Sequence, residues 1–124
     1  GERPTKEFVE AYQVVLAAHT AGVRASRFAG SARAKDIDTA ARKIVETSRF
    51  EGSFIHGLGH GVGREVHEGT SLSPASTDMI RPGEIVTIEP GIYLSGKFGI
   101  RIEDMIIAGK GEMFSRVSRE FSRW

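Results

Sequence analysis

Glycine occupies every second position from 57 to 63 (Gly57, Gly59, Gly61, Gly63), and residues 54–68 around it contain three of the chain's four histidines. The interval between His56 and His60 matches one helical turn, as in a zinc helix of the HExxH kind. The glycines argue against that reading, because each costs about 1 kcal/mol relative to alanine inside a helix. Extended or looping backbone remains. In a chain of period two, His56 and His60 fall on one side, and the glycines clear the other for a strand, ligand or metal. A single histidine in such a segment is more often a surface residue than a ligand. Three together, with acidic residues downstream, point to chemistry.

The 124 residues, 40% of them hydrophobic, amount to one domain with a moderate core. A net charge of +1 gives no electrostatic basis for binding nucleic acid or an anionic membrane. The absence of cysteine excludes disulfides and Cys-ligated zinc, and fits a reducing, cytoplasmic compartment. No apolar run reaches transmembrane length, and the N-terminal residues lack the apolar core of a signal peptide.

Thr5 reads as an N-cap, and Phe8, Tyr12, Val15, Leu16 and Val23 recur at helical spacing. They predict a helix from about 5 to 21, stopped by Gly22, with His19 at the stripe's edge satisfied by one hydrogen bond. A connector over 22–34 precedes a second helix over 35–48, with Ile37, Ala41, Ile44 and Val45 on its apolar face. Asp36 and Asp38 at its start suit capping and the helix dipole rather than metal binding. Residues 70–79 read as a surface loop and Arg81-Pro82-Gly83-Glu84 as a turn. Strands follow over 84–89, 92–94 and 98–107, with a turn at 95–97, a hairpin turn at 109–111 and a polar tail.

Alternation places Ile85, Thr87 and Glu89 on one strand face, and Arg101, Glu103 and Met105 on another, opposite Ile100, Ile102 and Asp104. A carboxylate in an apolar strand is costly to bury unless it is paired or binds a metal. One imidazole with two strand carboxylates suits Mn, Co, Zn or Fe. A carboxylate can bridge two cations about 3.5–4 Å apart, the geometry of dinuclear hydrolases. His56 and His67 would then orient substrate, and Arg101 could pair with a carboxylate.

The run His56-Gly-Leu-Gly-His60-Gly-Val-Gly-Arg-Glu-Val-His67-Glu68, then Ile-Glu89-Pro-Gly-Ile-Tyr93 and Gly-Ile-Arg101-Ile-Glu103-Asp104, resembles the C-terminal part of the catalytic domain of pita-bread metallopeptidases of the Xaa-Pro dipeptidase and Xaa-Pro aminopeptidase branch. The resemblance implies an α+β fold: a curved, mainly antiparallel sheet with helices on one side. It implies His60, Glu89 and Glu103 as metal ligands, with Glu89 also the general acid/base and Glu103 bridging. His56, His67 and Arg101 would contact substrate or the intermediate. The complete enzyme would hold two divalent ions, Mn foremost, with Co, Zn or Fe as alternatives, and would use a metal-bridging water. Its substrates would be peptides with proline second, and it would assemble as a homo-oligomer, a dimer.

The family has five ligands, and its two aspartates lie on a hairpin that would precede residue 1. The expectation is a single partial catalytic domain over 1–124, without that hairpin or the N-terminal domain, inactive alone and with an exposed sheet edge prone to self-association. The alternatives are a methionine or general aminopeptidase of the same fold, a non-catalytic peptide-binding module, and an unrelated mononuclear His/Glu/Glu site.

Overall fold

The computed structural model describes residues 3–28, 30–62 and 70–109, and the backbone alone over 112–123. Helix α1 (Lys6–Phe28) begins as its sequence dictates: the Thr5 hydroxyl accepts the Phe8 amide at 3.1 Å, an N-cap. It continues through Gly22 instead of stopping there, because Gly22 has no need of a left-handed conformation. A Cβ at this position would lie 3.0 Å from Ile88 Cγ2 and 3.2 Å from Leu58 Cδ2. The glycine is therefore a point of close approach, where the helix presses on the sheet through a seam of small residues: Ala11, Val15, Ala18 and Gly22. Leu16 turns outward, 38% exposed.

Two-residue strand β1 (Ala32–Arg33) runs directly into α2 (Ala34–Glu46), which buries Ala34, Ile37, Ala41 and Val45. Neither Asp36 nor Asp38 caps it. The N-cap is Arg33, without a side-chain cap, and Asp38 is fully buried. Then come β2 (Gly59–Val62), β3 (Ser71–Leu72), β4 (Met79–Ile80), β5 (Ile85–Ile88), β6 (Gly91–Leu94), β7 (Phe98–Ile107) and β8 (Glu112–Arg123).

The sheet is organised on β7. On one edge, β5 pairs with residues 104–107 and β6 with residues 98–101. On the other edge β8 pairs along the strand, with a register shift between Glu103 and Met105. The segment expected as a polar tail is thus a twelve-residue strand. Beyond β5 lie β2 and β3, and every pairing is antiparallel. Small β1 and β4 pair separately, and the Asp78 carbonyl accepts the first amide of α2 at 3.0 Å.

The helices cover one face of the sheet, where Val86, Ile88, Ile92, Ile100, Ile102 and Ile106 are fully buried. Each stabilises the fold by about 1.5–3 kcal/mol. The expected α+β architecture, an antiparallel sheet with helices on one side, is what the chain adopts. No helix among the described residues is long and apolar enough to cross a membrane.

Gly22→Ala tests the close approach. Alanine gains about 1 kcal/mol in helix propensity, but overpacking against fully buried Ile88 and Leu58 costs about 1–3 kcal/mol. A net loss is expected in a denaturant titration, larger for Gly22→Val; stabilisation by Gly22→Ala would contradict the packing described.

Candidate active site

The face of the sheet away from the helices carries the candidate site residues of β5 and β7. Ile88 pairs with Asp104, so one step further along the same register Glu89, just past the end of β5, lies across from Glu103. Gly91 pairs with Arg101, which places Arg101, and by alternation Tyr93, on that same face with Glu103. On β2, Gly61 pairs with Val86, so His60 lies across from Thr87, and its amide donates to the Thr87 hydroxyl at 2.9 Å.

Simple alternation does not survive through Gly59. Leu58 is fully buried against the helix side, whereas the His60 side chain, two residues on, is 55% exposed toward the opposite side. A Cβ on Gly59 would collide with the Thr87 carbonyl. Glycine is therefore required where the backbone crosses close to β5. Simple alternation is therefore not what places His56 and His60, yet their partners, Tyr93 and Glu89, stand on the same face of the sheet. His60 turns to Glu89 and His56 to Tyr93.

His60 Nδ1 lies 3.0 Å from the Gly61 carbonyl, which can only accept, so in the neutral ring Nδ1 bears the proton. Nε2 then presents its lone pair toward Glu89 Oε2, 3.8 Å away. A backbone carbonyl holding the far nitrogen is the usual support of a metal-binding histidine. The Glu89 side chain is 18% exposed, and its amide donates to the Leu58 carbonyl at 2.7 Å. The N/O donor set fits a hard-to-borderline divalent cation. His60 and Glu89 are brought together and Glu103 is on the adjacent strand, but among the described residues no three His, Asp or Glu side chains converge as a complete metal cluster.

His56 is half-buried. Its Nδ1 donates to the Gly57 carbonyl at 2.7 Å, and in that tautomer Nε2 accepts from the Tyr93 hydroxyl at 2.8 Å. His67, also expected at the site, lies outside the described residues, as does Glu68. On the helix side, His19 Nε2 stands 2.7 Å from Asp104 Oδ2, with both side chains buried. That close polar contact fastens α1 to β7 directly behind Glu103, and His19 is packed in the interior.

Four residues of this arrangement escaped the sequence reading: Thr87 and Tyr93 in their hydrogen-bonding roles, and the Asp38–Arg42 pair. A signal for the last was available. Asp38 and Arg42 are four apart on α2, and Asp38 adjoins Ile37 on the apolar side, where an acid needs a partner.

Gly59→Ala should lower stability by about 3 kcal/mol or more, because the obstacle is backbone rather than a movable side-chain end. Gly30→Ala, with open space around it, should stay within about 0.5 kcal/mol. Equal effects in thermal unfolding would refute the tight crossing of β2 over β5.

Residues 1–110 match the family model described as metallopeptidase family M24. The Xaa-Pro dipeptidase of Pyrococcus furiosus is 38% identical over 104 residues, which cover 84% of this chain and 29% of that protein. The crystal structure of the prolidase from Pyrococcus horikoshii superposes with a TM-score of 0.78 at 37% identity, covering 94% of this chain and 32% of that one. The X-Pro aminopeptidase from Thermotoga maritima superposes with a TM-score of 0.81 at 33% identity, covering 95% and 34%. The chain thus spans about a third or less of the length of these relatives. It has the pita-bread fold and belongs to metallopeptidase family M24.

Proposed function

We propose that this chain provides the C-terminal part of the catalytic domain of a metal-dependent peptidase that cleaves the bond before a proline in second position, from Xaa-Pro dipeptides or peptide N-termini. The observation that carries this reading is the His60 lone pair facing the Glu89 carboxylate across 3.8 Å, on a sheet face shared with Glu103 and Arg101. The 38% identity to an Xaa-Pro dipeptidase supports the substrate class.

His60, Glu89 and Glu103 would hold the metal, Mn foremost, in a centre of two divalent ions. When bound, the metal would supply a water activated for attack and charge stabilisation at the substrate carbonyl. The bond before proline is a tertiary amide, so its nitrogen must gain a proton to leave as an amine. Glu89 Oε2 is the candidate group to take the proton from the attacking water and return it to that nitrogen. Its main chain is held by Leu58, which limits the carboxylate's wandering. Arg101 would pair with a substrate carboxylate, and His56, with Tyr93 behind it, would contact the scissile carbonyl. His67, by the resemblance, would also contact substrate or the intermediate.

By its resemblance the chain contributes three of five metal ligands. Alone it therefore binds metal weakly and does not turn over, and the working enzyme is a cytoplasmic homodimer that includes further chain.

Two measurements test this. Titration with Co(II) should show weak binding that His60→Ala and Glu89→Ala each reduce by about tenfold or more; binding unaffected by either substitution would rule out the ligand assignment. Hydrolysis of an Xaa-Pro dipeptide with Mn(II), with Glu89→Ala alongside, should show no turnover by the isolated chain. Turnover that vanishes in Glu89→Ala would uphold the peptidase reading and overturn the claim of inactivity.

A further inference from the structure

We propose that Asp38 and Arg42 of α2 are positioning residues that set the segment bearing His56 and, through Leu58, the backbone of Glu89. Asp38 is fully buried and accepts Arg42 in a two-pronged ion pair, Nε to Oδ2 at 2.8 Å and one terminal nitrogen, Nη2, to Oδ1 at 3.0 Å. The same Nη2 also donates to the His56 carbonyl at 2.7 Å, and Nη1 donates to the Phe54 carbonyl at 2.8 Å. Asp38 Oδ1 also accepts the Leu58 amide at 3.1 Å. One ion pair thus grips the main chain at 54, 56 and 58, over a segment that is neither helix nor strand. The guanidinium lies 4.0 Å from the centre of the Phe54 ring, and that ring meets the His56 imidazole edge-on at 5.2 Å.

The grip passes to the site along two routes. The His56 backbone, fixed through its carbonyl, sets the ring against the Tyr93 hydroxyl. Leu58, held at its amide by Asp38, accepts the Glu89 amide at its carbonyl. Only a planar, forked cation can reach a carboxylate and two carbonyls together, so lysine cannot replace Arg42 in this role. A pair serving stability alone would not need to be aimed at three successive alternate residues of the site segment. That His56 and Glu89 matter for chemistry rests on the function proposed above, whereas the positioning itself is read without turnover.

The test is imidazole nitrogen NMR and amide exchange on the purified chain, with Arg42→Lys alongside. In the unsubstituted chain His56 should show a single tautomer with the proton on Nδ1. In Arg42→Lys the His56 ring should average between tautomers, and the Leu58 and Glu89 amides should exchange about tenfold faster, while β7 amides keep their rates. A folded Arg42→Lys chain with a single tautomer and unchanged exchange overturns the proposal. Should that variant not fold, the Arg42 Nε–H of the unsubstituted chain decides. Relaxation as slow as the α2 backbone supports a fixed clamp, and free reorientation of the side chain overturns it. Failure of peptidase activity moves none of these readouts, so the two proposals fail separately.

Discussion

The crossing of residues 58–60 over the end of β5 is the constraint from which the face bearing the candidate site follows. Leu58 must send its side chain into the core beneath α1, and His60 must send its ring to the opposite face. Between them the backbone passes so close to Thr87 that no side chain fits. Strand β5 is fixed in turn by its register with β7, which puts Glu89 one step past Ile88 and level with Glu103. A slip of one residue in either pairing would turn the carboxylates toward the helices and the isoleucines toward solvent. The candidate site on one face and the packing of the other are therefore specified by the same register.

Each helix contributes one buried acid contact to that register. Asp104 of β7 meets His19 of α1, and Asp38 of α2 meets Arg42 and the Leu58 amide. Burying a carboxylate is costly unless it is paired, and losing one partner of such a pair typically costs about 3–5 kcal/mol. Apolar packing of α1 alone would tolerate small slides along the sheet. A close polar contact at a fixed position does not, and these two contacts lie behind Glu103 and behind the His56 segment respectively. Glycine at 22 allows this proximity, since a larger residue would lift α1 off Ile88 and Leu58.

Much of this was legible in the sequence. The Thr5 cap, the strand over 98–107 and the separation of Arg101, Glu103 and Met105 from Ile100, Ile102 and Asp104 follow from local rules of capping and alternation. The errors came where a residue's role depends on something distant in the chain. Gly22 has the appearance of a helix stop until Ile88 and Leu58 are set against it. Asp38 resembles a helix-start acid until Leu58 and His56 are brought beneath it. Residues 112–123 read as a polar tail because strand propensity is weak there, yet the long edge of β7 supplies a template for pairing.

By itself, then, the sequence determined which residue types were available for chemistry and on which strand faces they would stand. The period-two geometry of an extended chain is a local property that needs no knowledge of neighbours. Which of those residues actually meet was decided only by the tertiary structure. His60 meets Glu89 and His56 meets Tyr93 because Gly59 lets the chain cross close to β5, and such a close backbone approach exists only once two strands distant in sequence have paired.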